Sequence, residues 1–141
     1  MNPEDRSTAA FPLALLLLLL PFAGCREEPP PGDPNLLLEV AISPTPPGVG
    51  PARLIISLRD TLGNPVDGAE VRVEGNMSHA GMVPELGTAA GRGEGMYIVP
   101  DFRFTMAGDW VLTVTATLPD GRETRTQKKT DVVGAPNRGV P

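Results

Sequence analysis

Sixteen glycines and seventeen prolines punctuate the 141 residues of this chain. Both residue types weaken or break a helix interior, so long helices are disfavoured and short strands joined by turns are what the sequence can build. The runs between the breaks carry the pattern. The clearest is residues 109–118, where Trp110, Leu112, Val114, Ala116 and Leu118 take every second position against Val111, Thr113, Thr115 and Thr117. A period of two marks a strand with one buried face, and it makes Trp110 the expected anchor of the core.

Six further runs fit the same class. Residues 36–43 and 52–60 are expected as the first two strands, the second with Leu54, Ile56 and Leu58 on one side. After the turn-forming Gly63-Asn64-Pro65-Val66-Asp67-Gly68, a third strand follows with Ala69, Val71 and Val73 sharing a face. Residues 85–90 give a short, weakly patterned fourth strand. Residues 96–104 give a fifth, in which Pro100 marks an edge or a bulge because proline has no N–H for the ladder. The hairpin signal Pro119-Asp120-Gly121-Arg122 leads into a polar final strand over 123–133, suited to a sheet edge. Turns at about 8–12 residue spacing point to an all-β fold, an antiparallel β-sandwich of about seven strands.

The amino-terminal part is of another kind. Residues 9–25 read AAFPLALLLLLLPFAGC, an apolar run closed by small residues. It has the roughly 7–15 residue core of a signal peptide, short of the roughly 20 residues of a membrane span. Phe22-Ala23-Gly24-Cys25 resembles a bacterial lipobox, in which the leader is cut before the cysteine and the thiol is acylated. The expected organisation is a signal peptide over 1–24, a lipidated Cys25 with a Pro-rich tether to residue 35, a β-domain over 36–133, and a flexible tail over 134–141. Two acyl chains, at about 0.8 kcal/mol per buried methylene, suffice for stable attachment to a membrane. The protein is then an extracytoplasmic, membrane-anchored lipoprotein, in the periplasm or at the cell surface.

Several functions are excluded or disfavoured. The net charge is −5 and no basic cluster extends beyond Lys128-Lys129, so nucleic acid is not an expected partner. With a single His, and the single Cys committed to acylation, no nucleophilic or acid–base constellation stands out, and no enzyme is expected.

One stretch breaks the strand pattern. Residues 76–84, NMSHAGMVP, place Met77, His79 and Met82 within six residues, and Met106 sits in the turn Thr105-Met106-Ala107-Gly108. Thioether sulfur is soft and neutral and imidazole is borderline, a donor set that favours Cu(I) over zinc, calcium or magnesium. If residues 85–90 form a traverse, the connections after the third and fifth strands fall at the same end, where Met106 can meet the Met77–Met82 loop. The competing reading is packing, since Met77 continues the alternation of Val71, Val73 and Gly75 and can point inward as core filler.

From Gly63 to Asp120 the chain resembles the YtkA-like domain family, which is related to the FixH family. The likeness is carried by Met77, His79 and Met82 in the loop, by Gly95 and Tyr97, and by Phe104, Met106, Ala107, Gly108, Trp110, Leu112 and Val114. The resemblance implies an immunoglobulin-like, non-enzymatic extracytoplasmic module associated with copper transport or respiratory oxidase assembly proteins. The alternative is a metal-free immunoglobulin-like module that binds through a sheet edge or a loop.

Overall fold

A computed structural model describes residues 32–78 and 81–136. The leader, Cys25, most of the tether, the last tail residues and His79 lie outside the described residues. The described chain is all-β, with seven strands: β1 (Leu36–Ser43), β2 (Gly48–Asp60), β3 (Glu70–Met77), β4 (Glu85–Gly93), β5 (Met96–Phe104), β6 (Gly108–Thr117) and β7 (Glu123–Pro136).

The strands form a more closed arrangement than the two separate layers of a sandwich. The hydrogen-bonded order is β1-β2-β5-β4-β3-β6-β7, with a further pairing of β7 back to β2. Six strands therefore make a ring, and β1 lies outside it against β2. Two local causes replace the expected sandwich with this ring. First, β4 changes partner along its length: Glu85 to Ala89 pair with β3, whereas Ala90 to Gly93 pair with β5. Its glycines, Gly87, Gly91 and Gly93, let the strand bend from one layer to the other. Second, the start of β2 reaches across to the end of β7, where Gly48 and Val49 pair in parallel with Val133 and Pro136. That pairing also carries β7 beyond the expected Val133.

The core follows the alternation. Leu54, Ile56, Leu58, Val71, Val73, Trp110, Leu112, Val114 and Ala116 are all buried inside the ring. In β5 the inward set shifts from Tyr97 and Val99 to Phe102 and Phe104. The shift occurs where Ala52 pairs with Phe102 but Leu54 pairs with Val99, so Pro100 and Asp101 bulge together opposite Arg53. Phe102, Phe104 and Trp110 then stack edge to face, with successive centroids 5.3 Å apart. Gly75 is the space that this stack needs: a Cβ there would lie 2.6 Å from Cζ of Phe102.

β1 runs alongside β7 and is tied to it at both extremities. The Asp33 N–H donates to the Glu123 carbonyl at 2.7 Å, and the Val133 N–H donates to the Pro47 carbonyl at 2.9 Å. Between these ties the two strands part, leaving a shallow groove lined by Leu38, Val40, Thr126 and Lys128.

Candidate functional site

The barrel has two ends, and the sequence of turns assigns residues to each. At one end lie the finish of β3, the start of β4, the finish of β5 and the start of β6, so β4 is the traverse on which the meeting of Met77 and Met106 depended. Met77 pairs with Trp110 across β3 and β6, and the next N–H, that of Ser78, donates to the Asp109 carbonyl at 3.1 Å. The chain leaves β3 at the point where it enters β6 from the Met106 turn.

Trp110 fixes that turn. Its ring is buried, and its indole N–H donates to the Met106 carbonyl at 3.0 Å. A buried indole needs such a partner, and here the turn before β6 supplies it with the Met106 carbonyl. The Met106 side chain is thereby held outward, half-exposed at 50%. Gly108 completes the geometry with a φ of 124°, and a Cβ on it would stand 3.2 Å from the Met77 methyl. The thioether of Met77 therefore reaches the base of the Met106 turn. The sequence places Gly108 in the Met106 turn, while its close approach to the Met77 methyl is legible only in the structure, because it depends on the pairing of β3 with β6.

Met77 is only half-buried and packs against the core, as its place in the β3 alternation suggested. Met82 is half-buried in the loop before β4, between exposed Gly81 and Val83. The three methionines thus share one end of the barrel. His79 belongs to the same loop by sequence, but its position lies outside the described residues. Beside the site, on the outer face, Ser78, Asp109, Val111, Lys129 and Asp131 line a shallow polar depression. Among the described residues no three His, Cys, Asp or Glu side chains gather closely enough to hold a metal ion. Among the described residues, the soft donors at this end are the thioethers of Met77, Met82 and Met106.

The opposite end is organised by carboxylates. Asp60 accepts from the side-chain amide of Asn64 at 2.9 Å and from the backbone N–H of Asn64 and of Leu62, which holds its acid strength above that of a free Asp. Asp33 is lowered in the same direction by the Asn35 N–H, and Asp120 by the Arg122 N–H. Tyr97 spans this end from within: its hydroxyl donates to the Val66 carbonyl at 2.9 Å and accepts from the Ala69 N–H at 3.1 Å.

Compared with known families, residues 37–115 match the YtkA-like family model, more than half of the chain. The match includes Met77, His79, Met82 and Met106. No curated protein matches this chain.

Proposed function

The chain belongs to the YtkA-like family, and on that footing we propose that it is a lipid-anchored extracytoplasmic module that binds Cu(I) and passes it to a partner. In this reading Met77, Met82 and Met106 donate sulfur, His79 donates nitrogen, and Cys25 carries the lipid. The observation that supports it best is the approach of the Met77 methyl to Gly108, beneath a turn whose Met106 carbonyl is held by the Trp110 indole. Two thioethers distant in sequence are brought to one end by strand pairing alone.

The chemistry of the donors suits cargo better than a permanent resident. Thioethers are neutral, soft and weakly held, so they favour a cuprous ion without needing to lose a proton, and they exchange readily with stronger ligands on a receiving protein. Copper-transport or respiratory oxidase assembly proteins are the partners that this reading calls for. It assigns no catalytic step to the chain.

A second reading has its own support. Met77 packs against the core, which suits a metal-free immunoglobulin-like interaction or assembly module in which the methionines serve as padding.

Titration with Cu(I) against a competing chelator separates the two. The copper reading expects wild-type protein to bind at least about tenfold more tightly, about 1.4 kcal/mol, than the His79→Ala/Met82→Ala double variant. It also expects Trp110 emission to change on binding, through the indole bond to Met106, and Met106→Leu to weaken binding without unfolding the protein. Equal affinity of wild type and double variant removes the copper reading and leaves the metal-free one.

A further inference from the structure

The end opposite the methionines is where the chain comes in from Cys25. Gly32 lies against Thr124, close enough that a Cβ on it would stand 2.8 Å from the Thr124 Cα. Asp33 bonds to Glu123, and the Asn35 carbonyl accepts from the Thr61 N–H at 3.1 Å. The first described residue is thus pinned to the end built from the start of β1, the finish of β2 and the start of β7. Cys25 and Gly32 are seven residues apart in sequence. At roughly 3.3–3.6 Å per residue, even a fully extended link reaches no more than about 25 Å. β6, of ten residues, is about 33 Å long, which the tilt of barrel strands turns into a barrel height of about 25 Å. Only a fully stretched link could bring the far end down to the level of Cys25, and every shorter path leaves the near end closer to it.

Exposed apolar side chains stand at both ends, Val83, Leu86 and Met106 at the far one, so it is the attachment point that selects those of the near end. Leu62 stands at the tip of the β2–β3 turn with 86% of its surface exposed, and Leu37, at the start of β1, is 53% exposed. Leu62 does not dangle. Its own N–H is held by the Asp60 carboxylate at 2.9 Å, and the Arg59 guanidinium clasps the next carbonyl, that of Gly63, at 3.1 Å. A turn made rigid by polar bonds projects a bare leucine beside the point of attachment.

From this juxtaposition we infer that the Leu62 end of the barrel rests on the lipid surface, with the side chains of Leu62 and Leu37 as its contact and the methionine end facing away from the membrane. The inference rests on the acylation of Cys25. Charge plays no attractive part, because Asp33, Asp60, Asp67 and Asp120 outnumber Arg59 and Arg122 around the turns of this end. The contact is apolar and enforced by the short link, so it suits a zwitterionic surface and weakens as anionic lipid is added. Its consequence for the proposed cargo is direction: copper is offered to partners that stand off the membrane.

Acylation of the only cysteine leaves any introduced thiol unique, which makes the test direct. The full chain, matured and acylated, is prepared as Leu62→Cys, Leu37→Cys, Ala41→Cys and Val83→Cys, each labelled with bimane and inserted into phosphatidylcholine vesicles with and without brominated acyl chains. Leu62 and Leu37 report the near end, Ala41 the outer face of β1, and Val83 the methionine end. The expected result is bromine quenching at least twofold stronger at positions 62 and 37 than at 41 and 83. Equal or stronger quenching at 83, or at 41, overturns the orientation, as does the absence of quenching at 62 and 37 in protein that floats with the vesicles. Protein that does not float, and in which Cys25 itself takes the label, overturns the anchor and the orientation together, and flotation tells that failure from the other.

Discussion

The two ends of this barrel are built on different terms. At the Leu62 end, side chains stitch the turns: Asp60 holds Leu62 and Asn64, Asp67 accepts from the Gly95 N–H at 2.8 Å, Tyr97 bridges Val66 and Ala69, and Arg122 joins Asp120 to Asp33. At the methionine end, among the described residues, the Trp110 indole bond to Met106 holds the turn before β6, and Gly81, at a φ of 96°, has open space where a Cβ would stand. Among the described residues, side-chain hydrogen bonds hold several turns at one end and a single buried indole holds the turn at the other. Local stability is not uniform across a fold, and fewer side-chain ties predict the lower local stability at the methionine end.

Glycine substitutions probe that contrast most strongly. Gly95 sits at φ 70° with its Cα against the Leu58 carbonyl and Pro65, so a Cβ there meets backbone that cannot move. Gly95→Ala is expected to cost about 3 kcal/mol or more, by overpacking and backbone strain together, read from the shift of the urea midpoint. Next in size, Tyr97→Phe strands the Val66 carbonyl and the Ala69 N–H and is expected to cost about 2 kcal/mol in the same measurement, with Cu(I) binding unchanged. At the methionine end, Gly81→Ala meets no neighbour within 4 Å and carries only the strain of its φ of 96°, about 1 kcal/mol. A loss as large as that of Gly95→Ala would show the two ends to be equally constrained.

The smallest effect concerns acid. Asp33, Asp60 and Asp120 are all lowered below their ordinary value of 3.8 by the N–H groups they accept from. A depressed carboxylate stabilises the fold fully above its unfolded value, and that contribution is lost as pH falls through the native one. Stability should therefore be flat above about pH 5 and fall below about pH 4, with Asp60→Asn flattening the fall. Since all three groups sit at the Leu62 end, amide exchange in acid should rise there first. A first rise in the 78–84 loop would undo the comparison.

How much of this was legible in the sequence depended on whether a pattern was local. β6 could be read from its alternation, because one buried face writes itself into every second residue, and β5 could be placed with Pro100 as either an edge or a bulge, of which the pairing with β2 makes it a bulge. The traverse by β4 was legible only as a weak possibility. Its six-residue core reads Glu-Leu-Gly-Thr-Ala-Ala, with exposed Leu86 on the outer face, so no strong periodicity marks a strand that serves two layers. Ring closure by Gly48 and Val49 left no trace at all, since a two-residue parallel pairing inside a Pro-rich turn imposes no side-chain rule. At the candidate site, the spacing of Met77, His79 and Met82 and the parity that brings Met106 near were readable. The half-buried pose of Met77 was not, because alternation gives a face and says nothing of how far a flexible side chain extends beyond the last layer of the core.

The gaping pair of β1 and β7 bears on life at high density. An unpaired strand border recruits any passing border of the same kind, the more so where copies of a protein are concentrated. Here the outer borders of β1 and β7 lie alongside each other, pinned top and bottom, so each screens the other from neighbours. Both pins are main-chain bonds, so only a change that removes a donor, such as Asp33→Pro, is expected to free the border of β1 and to raise light scattering at high protein concentration.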